Sequence, residues 1–211
     1  MKLPPTIQCV VGMFGVFIGG FQGHAISFKS LLLPPIPTSR SYNTAWIDIS
    51  PARIPQDLSS IRECRQSCWN ERKPGQRISP RFLNADAVSE PTVTCILARE
   101  TWYPWRTLGT ADVRVNDNTG IAHVTNVYVR EEARGKGLGK RLMSGIDELV
   151  ADETIRIGTM CLDVNTQNVA AISLYQRCGY STPGIHSVVS LVGKYTGLDL
   201  QIAMKKEISK I

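Results

Sequence analysis

The chain has 211 residues, 43% of them hydrophobic and 20% charged, a balance that excludes a disordered polypeptide and suits one globular domain with extensions. The net charge is +6. Lys2, Lys29 and Arg40 are the only charged residues before Asp48, so half of that excess sits in the N-terminal stretch, and the rest is too mild to argue for nucleic acid.

In chain order, Lys2 precedes an apolar run from Ile7 to Phe21. It is too short for a spanning helix, which needs about 20 apolar residues, so no stable membrane span is expected. The run fits a signal-like presequence over residues 1–27, with small residues at Gly23, Ala25 and Ser27 for cleavage. Residues 28–42 carry bases and hydroxyls but no acid, as transit-peptide-like segments do. Ala25-Ile-Ser-Phe28 resembles the junction of bipartite presequences in algae with complex plastids. That resemblance implies a plastid (chloroplast) destination, with the secretory pathway or the cytoplasm as alternatives. A helix packed on the domain, or an anchor, is the plainer reading of the same residues. The folded domain is expected over 43–211.

Six cysteines stand at 9, 64, 68, 95, 161 and 178, with no C-x-x-C or His-Cys cluster in the sequence, so no metal is expected. Free thiols suit a reducing compartment.

Ala45 to Ile49 reads as the first strand. Asp57 is placed to cap a helix running to about Glu71, with Leu58, Ile61, Cys64, Cys68 and Trp69 on one face. Arg72 to Arg81, with Pro74-Gly75, reads as a basic loop. Two strands follow, Thr92 to Arg99 and Leu108 to Val115. Between them, Thr101-Trp-Tyr-Pro-Trp-Arg106 either seals a core edge or lines a pocket. Asn116 to Gly120 is a hairpin turn into a central strand. In that strand Ala122 and Val124 share one phase of the two-residue period, and Val127 and Val129 share the other. The slip near Thr125-Asn126 predicts a β-bulge, unless the strand is buried on both faces.

After the strand comes Arg134-Gly-Lys-Gly-Leu-Gly139, then an amphipathic helix with Leu138, Leu142, Ile146 and Leu149 on one face. A glycine loop opening a helix presents free N–H groups and the positive end of the helix dipole, a site for phosphate. A dinucleotide-binding G-x-G-x-x-G has a different register, and Gly139-Lys140-Arg141 lacks the hydroxyl of a Walker A loop. What the loop does match is R/Q-x-x-G-x-G/A, through Arg134, Gly137 and Gly139. A basic helix start with flexible glycines is the plain alternative.

A second motif follows, Cys161-Leu-Asp-Val-Asn-Thr-Gln-Asn168-Val169-Ala170-Ala171-Ile-Ser-Leu174-Tyr175-Gln-Arg-Cys-Gly179-Tyr180. It fills every fixed position of N-x-x-A-x-x-L-Y-x-x-x-G-F/Y. Both motifs, in this order, resemble the GNAT superfamily of N-acetyltransferases over about 92–205, and among these the plastid-type protein N-acetyltransferases. The resemblance implies an α/β fold of GNAT type. That is a mixed, mostly antiparallel seven-stranded sheet with a splayed, bulged central strand and helices on both faces. Tyr180 would start a further strand. Ser187 to Val192 and the alternating Leu198 to Met204 would be the last pair.

It also implies acetyl-CoA as cosubstrate, no metal, and an amine acceptor. Val127, Tyr128 and Val129 would pair through their backbone with the pantetheine amides. Arg134, Gly135, Lys136, Gly137, Leu138, Gly139 and Lys140 would hold the pyrophosphate. Asn168, Val169, Ala170, Ala171 and Tyr175 would turn to the cosubstrate, with Tyr175 donating a proton to the departing thiolate. The place of the family's glutamate base, four residues before the pantetheine triplet, is held by His123. Histidine suits proton transfer near neutral pH, although a hairpin-end histidine is often only solvated. Glu100, Asp112 and Asp163 are weaker candidates. The expected acceptors are protein N-terminal α-amines and lysine ε-amines. Small arylalkylamine-type substrates, a non-catalytic acetyl-CoA sensor and a phosphate-binding module are the alternatives, and the sequence leaves the oligomeric state open.

Overall fold

The structure, a computed structural model, describes residues 44–71, 78, 80–152, 157–182, 184 and 200–208, all within the compact unit Pro34–Ile211. The two segments of the expected presequence, 1–27 and 28–42, lie outside the described residues. So do most of the basic loop after the first helix and the expected strand at 187–192.

Six strands form one sheet in the order β1-β2-β3-β4-β5-β6, six among the described residues where seven were expected. They are β1 (Ile47–Pro51), β2 (Val93–Glu100), β3 (Thr107–Asn116), β4 (Ile121–Val129), β5 (Thr159–Asn165) and β6 (Gln201–Glu207). Every pairing is antiparallel except β4 with β5. Their connection runs through helix α3 (Leu138–Asp152), the crossover that parallel neighbours require. The other helices are α1 (Leu58–Glu71), the short α2 (Pro80–Leu83) and α4 (Val169–Arg177).

Alternation along β2 divides the interior. Ile96 and Ala98 join the main core, where Leu138, Leu142, Met143, Ile146 and Val150 of α3 pack with Leu108, Ala111 and Val113 of β3. Cys95 and Leu97 face the other way, onto Ile61 of α1. Helices therefore cover both faces. Leu149 is only partly buried, and Met143 and Val150 fill out the apolar face of α3 instead. At Gly145, an added Cβ would lie 2.8 Å from Ile49 Cγ2, so a glycine lets α3 settle onto β1.

Several local expectations shift. The first strand begins two residues later than its sequence suggested, because Thr44–Trp46 forms a 3-10 turn. Asp57 does precede α1, and its carbonyl accepts from Ile61 N at 3.0 Å. Its carboxylate instead accepts from Arg53 N at 2.7 Å and Arg99 Nη1 at 2.8 Å, tying the helix start to β2. Among the described residues around Tyr180, an isolated bridge of Ser181 with Lys205 stands where a strand was expected to begin. The slip in β4 is a bulge: Thr110 pairs with Tyr128 and Asp112 with Thr125, so Asn126 and Val127 oppose the single residue Ala111. Asn126 has φ 54°, a left-handed value that asparagine tolerates better than most side chains.

Candidate active site

β4 and β5 pair at only three positions, Ile121 with Thr159, Ala122 with Met160 and His123 with Cys161. Beyond them β5 stays with β6 and β4 stays with β3. Paired strands lie about 4.8 Å apart; where pairing stops the sheet splits, and β4 becomes an edge along one wall. The end of that wall is Val127, Tyr128 and Val129. Such an edge offers backbone groups to an extended ligand, as to an added strand.

The split ends at the glycine loop. Arg130 N donates to Leu108 O at 2.8 Å, and a 3-10 turn, Glu131–Ala133, leads on. Gly135 (φ 74°) and Gly137 (φ 79°) then turn the chain into α3, in a conformation that costs glycine little. A Cβ at either would meet nothing within 4 Å, so open space lies before both. Gly137 O accepts from Arg141 N at 3.1 Å, which places Leu138, Gly139 and Lys140 in the first turn. No acceptor among the described residues takes their N–H groups. These donors, with the dipole of α3 behind them, make a cradle for an anion. Gly139 serves differently. Its Cβ would come within 2.9 Å of Leu174 Cδ2, so its smallness lets α3 and α4 pack. Lys140 is exposed, and Lys136 Nζ donates to Glu132 O at 2.8 Å.

Arg134 is held back from the loop's mouth. Its Nε donates to Val129 O at 2.8 Å, and its Nη2 bonds Glu71 Oε2. Glu71, the last residue of α1, also accepts from Tyr128 Oη at 2.8 Å and Glu131 N at 3.3 Å. One carboxylate thus ties α1, β4 and the loop together. Burial, then this hydrogen bond, pushes the Tyr128 hydroxyl far above the ordinary tyrosine range. Its ring stacks edge-on against Phe82 at 6.0 Å.

On α4, Asn168 is the N-cap: its Oδ1 accepts from Ala171 N at 3.2 Å, so that oxygen is engaged within the helix. Val169 and Ala170 are exposed, and Ala171 is half-buried. Tyr175 is 7% exposed and packs in the main core against Tyr180, ring centroids 6.1 Å apart. Burial pushes its hydroxyl up to about 12. The hydroxyl makes no hydrogen bond to another described residue.

His123 is exposed at the closed end of the split, with Nδ1 3.0 Å from Cys161 Sγ. Burial, first among several causes, raises the Cys161 thiol. Which of the two donates depends on the imidazole tautomer, and the ring nitrogen nearer the sulfur is engaged with Cys161 in either case. The sequence shows no His-Cys cluster because 38 residues separate the two; a parallel crossover joins them. Glu100 is buried and paired with Arg106 at 3.3 Å. Asp112 is buried against Arg65, which removes both from the role of base. Asp163 is exposed on β5. The aromatic loop does not seal a core edge: Trp102 and Trp105 are 53% and 65% exposed. It lies at the end of the sheet that carries the glycine loop, where Arg106 Nη2 stands 3.6 Å from Glu132 Oε1.

Sequence reasoning missed Glu71, whose role no local pattern announces. It also missed the buried pair of Arg65 and Asp112, which had a signal. An arginine stands in the apolar stripe of α1, and an acid stands in the apolar strand β3.

Comparison with known proteins places this geometry. The model of the acetyltransferase (GNAT) family matches residues 58–180. No curated protein sequence matches the chain. Among solved structures, the ribosomal-protein-S18-alanine N-acetyltransferase of Escherichia coli superposes with a TM-score of 0.56 at 18% identity, over 78% of this chain and 96% of its own. The PaiA N-acetyltransferase of Thermoplasma acidophilum, in complex with coenzyme A, gives 0.56 at 17% identity, over 77% and 99%. A spermidine N-acetyltransferase chimera involving Vibrio cholerae gives 0.55 at 14% identity, over 77% and 95%. Identities this low speak for the fold alone.

Proposed function

Because the chain belongs to the GNAT family of acetyltransferases, and is thereby an acetyl-CoA-dependent N-acetyltransferase, we propose that its acceptors are protein N-terminal α-amines and lysine ε-amines, and that it works in the plastid. The observation that carries the acyl transfer is the junction of the split β4 edge with the open glycine cradle of α3. The two fit the two halves of the cosubstrate: an edge for the pantetheine amides and a phosphate site at a helix N-terminus.

Bound acetyl-CoA supplies the acetyl thioester. The protein supplies the rest. Gly135, Gly137 and the N–H groups of Leu138, Gly139 and Lys140 take the pyrophosphate. Lys136 and Lys140 add charge there. Arg134 acts behind the loop, through Val129 O and Glu71. Val127, Tyr128 and Val129 hold the amides by their backbone, and an N–H at the bulge faces the thioester oxygen. Ala171 is small enough to let the cosubstrate pass α4, with Asn168, Val169 and Ala170 at its start. Tyr175 holds a proton for the departing sulfur. Its hydroxyl stands near 12, and an ordinary thiol near about 8.5. Full transfer from Tyr175 is therefore uphill, and its contribution is a hydrogen bond that strengthens as the sulfur gains charge. An alkylamine, with a pKa of about 10.4, arrives mostly protonated. His123, exposed at the closed end of the split, accepts its proton, directly or through water.

Support for protein acceptors comes from the motif resemblance and from the S18-alanine enzyme among the similar folds. The spermidine enzyme keeps small amines as the second reading. Incubation with acetyl-CoA and a library of peptides bearing free N-termini and lysines, read by mass spectrometry, decides between them. Acetylated peptides are expected. Acetylated spermidine or arylalkylamines with untouched peptides would overturn the protein reading. Binding of acetyl-CoA without transfer to any amine would leave a sensor.

A further inference from the structure

The bulge in β4 is fixed from beneath by buried charge. Asp112, on β3, is 2% exposed. Arg65 Nη2, from α1, donates to its Oδ1 and Oδ2 at 2.7 and 2.6 Å. Arg65 is fully buried; its Nη1 lies 3.4 Å from Asn84 O, and its guanidinium sits 5.6 Å from the centre of the Phe82 ring. The same carboxylate also grips the bulge: Asn126 Nδ2 donates to Asp112 Oδ2 at 2.7 Å. A second tie joins Thr110 Oγ1 to Asn126 O at 3.4 Å. Asn126 is the only described non-glycine residue with positive φ, and Val127 follows it at the reacting edge.

We propose that Asn126, held by the Asp112–Arg65 pair, is a positioning residue for acetyl transfer, and that it fixes the bulge so that the Val127 backbone meets the thioester oxygen. The inference rests on the acyl-transfer reading above. A left-handed residue in a strand can be stabilised in two ways, by its own φ preference or by what its side chain grips. Here the grip is a charge-assisted hydrogen bond to a carboxylate that cannot move, because both its oxygens are already held by a buried guanidinium. Arg65 therefore carries the rigidity of α1 into the strand edge. A bulge that rocks would still bind the long cosubstrate through the loop and the remaining edge. It would lose the hydrogen bond that matters most when charge develops on oxygen, and such losses appear in turnover.

Asn126→Gly separates the two causes, since glycine adopts φ 54° freely and only the amide grip is lost. The measurements are thiol release from acetyl-CoA with a peptide bearing a free N-terminus and a lysine, calorimetric affinity for acetyl-CoA, and thermal melting. A fall of about tenfold in kcat is expected, with KM for acetyl-CoA and its affinity within about twofold of the wild type. Unchanged kcat, or a raised KM with kcat preserved, would overturn the proposal. Should Asn126→Gly fail to fold, Asp112→Asn is compared with the exchange Asp112→Asn/Asn126→Asp, which restores an amide–carboxylate pair beside Arg65. Recovery of kcat in the exchange supports the clamp, and no recovery overturns it. An inactive wild-type protein would sink the acyl-transfer reading, and the clamp with it. An active wild type matched by Asn126→Gly would sink the clamp alone.

Discussion

On the α3 side of the sheet, Leu138, Leu142, Met143 and Ile146 close an interior built from aliphatic side chains. On the α1 side, Ile61 and Cys64 share their helix face with Arg65, and Asp112 takes the place of an apolar strand residue. The first arrangement gains stability from burial at little risk. The second desolvates two charges, and replacing such a pair by apolar side chains is often neutral or stabilising. Stability therefore does not explain the α1 side. What distinguishes it is its position under the bulge of β4 and, through Glu71 and Tyr128, under the root of the glycine loop. One face is closed by aliphatic packing, and the other grips the bulge of β4 through buried polar ties.

The largest expected effect lies at the open loop. Gly137→Glu should abolish acetyl-CoA binding in a domain that stays folded. Its side chain would enter the space now open before the loop, place like charge where the phosphates belong, and force φ 79° on a residue with a Cβ. Calorimetry on the folded variant checks this, and wild-type affinity would remove the loop from the site. Gly139→Ala should act differently, weakening the contact of α3 with α4 through Leu174, with a loss of melting temperature exceeding any loss of affinity.

Next come the two faces themselves. Asp112→Ala leaves Arg65 buried without its partner, so a loss of about 3–5 kcal/mol is expected. Ile146→Ala on the α3 side should cost about 2–5 kcal/mol through its cavity. Denaturant unfolding will give similar figures for both. Turnover should separate them: per folded molecule, Ile146→Ala keeps kcat and Asp112→Ala lowers it. Equal retention of kcat would erase the distinction between the faces.

The apolar side was the more legible in the sequence. Period 3.6 in α3 announced a buried helix face, and the phase slip at Thr125-Asn126 announced the bulge. Glycines 135 and 137 were readable because their left-handed turns have a local cause. The polar side was not, since its links are long-range: 47 residues separate Arg65 from Asp112, and 57 separate Glu71 from Tyr128. Arg134, Asn168 and Gly139 show the limit of a motif. It marks the positions, yet the structure engages Arg134 with Glu71, Asn168 with its own helix and Gly139 with Leu174. Asp57 likewise stands where a cap belongs, while its carboxylate serves Arg99.

The presequence tests a boundary rather than a face. Residues 28–42 should direct a reporter to the plastid only when 1–27 precede them. A mature plastid protein that still begins at Met1 would refute it.

The last expected effect belongs to a single hydroxyl. Tyr175→Phe keeps the ring that packs among Tyr180 and the core, so acetyl-CoA affinity should hold. Turnover should fall near the low end of general acid catalysis, about 10²-fold, without a rise in KM. A pH series tests the reason. Burial holds the hydroxyl near 12, above an unfolded tyrosine at about 10, so the native state binds this proton more tightly. The stability linked to it is complete below about pH 10 and is lost as pH climbs through 12, on the order of 2–3 kcal/mol. Cys64, also raised to about 12 by burial, adds a loss of the same sign that begins near pH 9. The phenylalanine variant should therefore unfold less steeply between pH 10 and 12 than the wild type, while the thiol's share remains. An identical alkaline slope in both proteins would mean that the Tyr175 hydroxyl is solvated in the native state. Its hold on a proton for the departing sulfur would then have no basis in burial.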